Sequence, residues 1–334
     1  MAVLLLLAYA AVGLRFGEAT EVPDPAEPTT RPSAPAQAPR VPGTIALAVG
    51  RDVFVLREGR YEAATSESRN AQPELSRDGE TLYFVRDESI DGRRVLPDGS
   101  VVSARLYYSN IVRKPARGGP ETIVLDGLRE SANGFHGASW HLGPAVSPDG
   151  ERLAYIEDDG IGAADLEVLD LEREALTILS RGSQLADPAW APDGETIAVT
   201  TYTLGQPGIL LVPVDGTRAT RLEGLPDGEP YAPSYSADGR WLLYTLRTDR
   251  GNDLHAVELD SGRDVALTDD GRSWHGVFSP DGRWIAFLRA EGGVIDLYAM
   301  ELHDALVDDG GPGVPLRLTD GEGVDGASRP AWGG

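Results

Sequence analysis

Two copies of the tripeptide Ser-Trp-His, Ser139-Trp140-His141 and Ser273-Trp274-His275, are the residues of this chain best suited to chemistry. An imidazole can bind a metal or move a proton near neutral pH, and an indole can stack on a sugar or a peptide. Both tripeptides fall in loops just ahead of a recurring motif, as do Gln72, Asp187, Tyr231 and Arg329. The expected site is therefore a ring of Gln72, Trp140, His141, Asp187, Tyr231, Trp274, His275 and Arg329. Such a set suits non-covalent recognition of a protein, a peptide or a glycan. His141 and His275 with Gln184 or Asp187 would make a metal site only through the fold, because their spacing is not a local ligand signature. No metal and no cofactor are assigned. Catalytic residues are not expected either. A serine hydrolase needs the G-x-S-x-G elbow, and residues 137–141 and 271–275 both lack its final glycine. The Asp-Gly turns lack the D-x-D-x-D-G spacing of a calcium loop.

The elements that must hold these residues are read from the motif itself. It is Asp-Gly followed by a short apolar run, in the copies PELSRDGETLYFV from Pro73, PAVSPDGERLAYI from Pro144, PAWAPDGETIAVT from Pro188, PSYSADGRWLLYT from Pro233 and GVFSPDGRWIAFL from Gly276. The last four turn aspartates, Asp149, Asp193, Asp238 and Asp281, are 44, 45 and 43 residues apart. That period, filled with short strands, belongs to a blade of a β-propeller. Asp-Gly closes a hairpin, because glycine takes positive φ without steric cost and aspartate bonds its own turn. In the strand after the turn, Leu82, Leu153, Ile197, Leu242 and Ile285 recur two positions before Phe84, Tyr155, Val199, Tyr244 and Phe287. Period-two spacing puts both rows on one sheet face, so they are core. The run Ser328–Trp332 matches the strand before the turn, while residues 43–49 match the strand after it. The expected fold is all-β, a six-bladed propeller of four-stranded blades whose last blade is shared by N- and C-terminal strands. The longer gap between Asp78 and Asp149 is read as one blade with an insertion near residues 87–102.

Composition narrows the partners. The net charge of −23 argues against nucleic acid, and a monomer is expected. With no cysteine there is no disulfide, no thiol chemistry and no lipid-modified cysteine. Residues 1–17 begin with an apolar run that suits a signal peptide or a membrane anchor. Residues 18–42 are rich in proline and read as an extended spacer, leaving residues 43–334 for the ring. Export to the periplasm or the cell exterior follows, with a possible tether through the N-terminus.

The repeats PAWAPDGETIAV, PAVSPDGERLAYI and VFSPDGRWIAFL resemble the TolB-type propeller repeat, as do the Leu-Thr endings at Leu267 and Leu318. The resemblance covers residues 43–334 and implies a six-bladed ring. It also implies a periplasmic, non-enzymatic role in binding other proteins. TolB carries an α/β domain ahead of its ring, where this chain has the spacer. Related rings also occur in prolyl peptidases and in metal-dependent polysaccharide lyases, so an enzyme acting on polysaccharide, or a membrane-tethered sensor, is the alternative.

Overall fold

The computed structural model describes residues 39–95, 100–130, 136–160, 164–181, 184–202, 207–302, 306 and 313–334. Residues 1–38, with the expected leader and most of the spacer, lie outside them, as does His303. The described residues form six four-stranded antiparallel sheets, one two-stranded ribbon and no helix. Blade one is Asn70–Leu75, Thr81–Val95, Val101–Pro115 and Thr122–Leu125. Blade two is Trp140–Val146, Arg152–Asp158, Ala164–Asp170 and Ala175–Ser180. Blade three is Leu185–Trp190, Thr196–Thr201, Gly208–Pro213 and Thr220–Arg221. Blade four is Glu229–Tyr235, Trp241–Thr248, Gly251–Glu258 and Asp264–Ala266, and blade five is Ser273–Phe278, Trp284–Glu291, Val294–Glu301 and Leu316–Arg317. Blade six joins the chain ends, in the order Ala331–Gly333, Thr44–Val49, Asp52–Arg57 and Arg60–Ala63. Thr44, Ile45 and Ala46 pair with Gly333, Trp332 and Ala331. The expected insertion in blade one is a continuation of its second and third strands. They pair with each other over fifteen residues, well past Arg86, where pairing to the inner strand stops.

Two polar cassettes set the edges of the blades. At each Ser-x-Asp-Gly turn the serine hydroxyl donates to the aspartate, whose Oδ1 accepts the amide two residues on. In blade one these are Ser76 to Asp78 (2.6 Å) and Glu80 N to Asp78 (3.0 Å). The same bonds recur at Asp149, Asp238 and Asp281. The serine hydrogen bond holds the Asp78 and Asp149 carboxyls below the usual range. At the other end of the blade, the Leu-Thr endings have a physical role. Thr319 Oγ1 donates to Asp296 Oδ1 (2.8 Å) and accepts from Leu297 N (2.9 Å), while Gly321 N donates to the same carboxylate oxygen (2.8 Å). Thr268 with Asp253, and Thr65 with Asp52, repeat the clamp. Each clamp fixes the outer strand to the head of the third.

Between blades, the two recurring apolar rows are sealed. Leu82, Leu153, Ile197, Leu242, Ile285, Phe84, Val199, Tyr244 and Phe287 are all 0% exposed. At about 1.5–3 kcal/mol for each large side chain, this packing outweighs any single polar contact.

Thr319→Val keeps the shape of the side chain but leaves the Leu297 amide and a buried Asp296 lone pair unmet. The expected cost is about 1–3 kcal/mol, read as a lower midpoint in urea with an unchanged slope. Deleting residues 328–334 should instead abolish the cooperative transition of the whole ring, because blade six loses its inner strand; circular dichroism melts would show it.

Candidate functional site

In five blades the innermost strand is broken at one place. Pairing skips from Ala71 to Glu74, Leu142 to Ala145, Ala186 to Ala189, Tyr231 to Ser234 and Trp274 to Val277. The first skipped residue is left-handed each time: Gln72 (φ 47°), Gly143 (56°), Asp187 (53°), Ala232 (51°) and His275 (55°). The second is Pro73, Pro144, Pro188, Pro233 or Gly276. Proline has no N–H, so it can leave the ladder without stranding a donor. At position 276 space decides, because a Cβ would lie 2.7 Å from Leu243 Cδ2.

The displaced amides stitch blade to blade. Gln72 N donates to Ser328 Oγ of blade six (2.7 Å), and Gly143 N to Gln72 Oε1 of blade one (2.7 Å). Ala232 N donates to Thr200 Oγ1 of blade three (2.9 Å), and His275 N to Thr245 Oγ1 of blade four (3.0 Å).

Blade six departs from this pattern and so creates the floor of the site. Val324 bridges Val49, and pairing resumes only between Ala331 and Ala46. Residues 326–330 therefore run outside the blade-six ladder. Trp274 Nε1 pins the excursion by donating to Gly326 O (2.8 Å). Arg329 leaves it and donates to Pro233 O (2.7 Å) and Pro188 O (3.1 Å). Blade three is opposite blade six in the ring, so this guanidinium crosses the channel axis. Its acceptors are open because the bulges took Pro188 and Pro233 out of their ladders.

Above Arg329 a funnel of about 180 Å³ opens on the face of the Asp-Gly turns. Its walls include Trp190, Tyr235, Phe278 and Trp332, with Pro148, Pro192 and Pro280, Ser147, Ser236 and Ser279 between them and Arg77 near the rim. Glu74 also lines it, where the other blades place Ala145, Ala189, Ser234, Val277 and Ala331. Glu74 Oε1 accepts from Val146 N (3.3 Å). Burial pushes its carboxyl up to about 7, against the opposing pull of Arg329.

Of the eight expected residues, Arg329 alone faces this funnel. Gln72 serves the inter-blade bond to Gly143, and Asp187 accepts from Thr200 Oγ1 (3.1 Å). Gln72, Asp187 and His275 lie inside the innermost strands, not in loops ahead of them as the sequence suggested, because those strands start at Asn70, Leu185 and Ser273. The two Ser-Trp-His tripeptides are also not equivalent. Aligned on the bulge, His275 matches Gly143, so His141 falls two residues short. His141 packs edge-on against Tyr155 at 5.2 Å, and His275 against Tyr231 at 5.8 Å, in different blades. Burial lowers both imidazoles to about 4, and Nδ1 of neither ring meets a hydrogen-bond partner among the described residues. Trp140 is half-buried at the start of its strand, on the face away from the turns. Sequence reasoning missed Glu74. The available signal was an acidic residue in a column of small ones.

A sequence model of the TolB beta propeller domain matches residues 123–308, more than half of the chain. The chain belongs to the TolB β-propeller family. A TolB homolog of Chlorobium luteolum is 29% identical over 122 residues, covering 36% of this chain and 27% of that protein. An uncharacterised peptidase of Bacillus subtilis, YuxL, is 34% identical over 147 residues, covering 41% of this chain and 22% of that protein. The matches thus span about a quarter of each curated relative. Among solved structures, TolB from Acinetobacter baumannii superimposes with a TM-score of 0.63 at 18% identity, over 87% of this chain and 66% of that one. An oligogalacturonate lyase in complex with manganese gives 0.52 at 16% identity, over 80% and 70%. At these identities the structural likeness is one of fold.

The pH profile of stability tests the channel assignment. Glu74 keeps its proton in the folded ring up to about pH 7, while the unfolded chain loses it near 4.5, so its contribution falls as pH rises through that window. His141 and His275 act oppositely, since only the unfolded chain takes up their protons between 6.5 and about 4. The midpoint of Glu74→Gln should therefore gain on that of wild type as pH rises from about 4.5 to 7, and run parallel to it outside that window. Calorimetry that showed wild type and variant with parallel profiles would overturn the assignment.

Proposed function

We propose that this TolB-type ring is a non-enzymatic, extracytoplasmic binding domain that takes a protein or peptide segment in its turn-face funnel, with Arg329 at the floor. The observation behind the reading is the funnel itself, whose aromatic and proline walls converge on a half-buried guanidinium held by two backbone carbonyls. Aromatic walls supply contact area, and a few polar groups at the base fix orientation. A glycan ring could stack on the same walls and is the second ligand class. Export is inferred from the apolar lead and the proline-rich spacer, in the layout 1–17 leader or anchor, 18–42 spacer and 43–334 ring, acting as a monomer with a possible membrane tether. The net charge of −23 speaks against nucleic acid.

The competing reading is an enzyme, drawn from the lyase and peptidase likenesses. Panning the full chain against displayed random peptides should select binders. Their affinity should fall at least about tenfold in Arg329→Met, equal to ~1.4 kcal/mol, and equally in Ser234→Trp, which fills the funnel while leaving Arg329 in the sequence. Binding indifferent to both changes would place the ligand elsewhere. Release of products from peptides or from polygalacturonate would favour the enzyme.

A further inference from the structure

The end of the proline-rich spacer lies against the funnel wall. Trp332 lines the funnel, and its Nε1 donates to the carbonyl of Pro42 at 2.8 Å. Val41 is buried with Trp332 in the same apolar cluster. Gly43 is left-handed (φ 74°), and a Cβ there would lie 2.5 Å from Gly333 O, so only glycine lets the chain pass this close to the C-terminal strand. The spacer therefore departs from a wall residue of the funnel.

Its composition matches that cavity. Residues 18–38 hold Pro23, Pro25, Pro28, Pro32 and Pro35, with Glu18, Glu21, Asp24 and Glu27 against Arg31 alone. Proline-rich chain favours the polyproline II form, which docks on aromatic-lined grooves at low entropic cost. The funnel offers Trp190, Tyr235, Phe278 and Trp332, and it gathers Arg77 and Arg329 against one carboxyl, Glu74, in a chain of net charge −23. An acidic, proline-rich strand meets both features. Reach is sufficient. Ten residues of polyproline II span about 31 Å, against about 20 Å for a six-residue strand, so the segment can turn back and enter from the rim.

We propose that residues 18–38 of this chain are an internal ligand of the funnel, occupying it in cis and competing with the external partner. The inference rests on the funnel being the ligand site. Tethering makes the segment an intramolecular competitor at a roughly millimolar effective concentration. Even a weak intrinsic affinity would then screen the funnel from poor ligands and leave it open to strong ones.

The test uses the full chain with Arg77→p-benzoylphenylalanine, an exposed rim position. Irradiation and peptide mapping should give adducts within residues 18–38 of the same molecule, in a yield independent of protein concentration. Adducts joining two chains, rising with concentration, would show a second copy as the occupant and overturn the cis assignment. Absence of any adduct in residues 18–38 would also overturn it. In a second measurement, the full chain with Pro25→Gly, Pro28→Gly, Pro32→Gly and Pro35→Gly together should bind a synthetic peptide of residues 18–38 at least about fivefold more tightly than wild type does. Equal affinities would count against the inference. If the panned peptides still need Arg329 while neither tail experiment gives its expected result, the binding function stands and the internal ligand falls.

Discussion

One backbone constraint underlies the ring: a left-handed residue in mid-strand, followed by a residue that can give up its place in the ladder. The left-handed conformation costs about 1–3 kcal/mol at each non-glycine position, and here Gln72, Asp187, Ala232 and His275 all adopt it. The cost is offset across the blade boundary, where the turned amides of Gln72, Ala232 and His275 meet hydroxyls of the neighbouring blade. The same break frees the carbonyls of Pro188 and Pro233, and these receive Arg329. Blade adhesion and channel closure thus share one origin.

The polar cassettes act at a different level. Each turn aspartate satisfies donors within a few residues, and each threonine–aspartate clamp, in blades four to six, fixes an outer strand that is only two to four residues long. Strands so short contribute few ladder bonds, so the side-chain clamp supplies what the ladder cannot. Apolar packing between blades then needs no special residues beyond two alternating rows.

Much of this was legible in the sequence. Asp-Gly recurrence gave the period, the alternating rows gave the core face, and the unfinished Ser328–Trp332 copy matched the orphan strand at Thr44. The site was less legible, for a physical reason. A bulge adds residues without changing composition, so Gln72, Asp187 and His275 read as loop although paired residues flank them on both sides. Identity misled where geometry was decisive, since the two Ser-Trp-His tripeptides differ by two residues in register. The funnel needed a third kind of information. Residues from six blades converge on it, and no local spacing announces that Trp190 and Trp332 share a cavity. Once the blades are aligned, Glu74 does stand out as the charged member of its column, and Arg329 as the basic member of a column that also holds Asp187.

The seam in blade six has a mechanical consequence. Thr44 and Gly333 face each other in an antiparallel pair, so the two chain ends leave the ring side by side. A pull applied through both ends would load the Thr44–Gly333 bonds first, then those at Ile45 and Ala46, one after another. That is peeling geometry rather than shear. Tension across the two ends would open blade six at low force while the other five blades were still unloaded. A load carried by the N-terminal end alone would instead pass through Val41 and Trp332 into the packed wall between blades five and six. The ring is thus built to hang from one end far better than to be stretched between two.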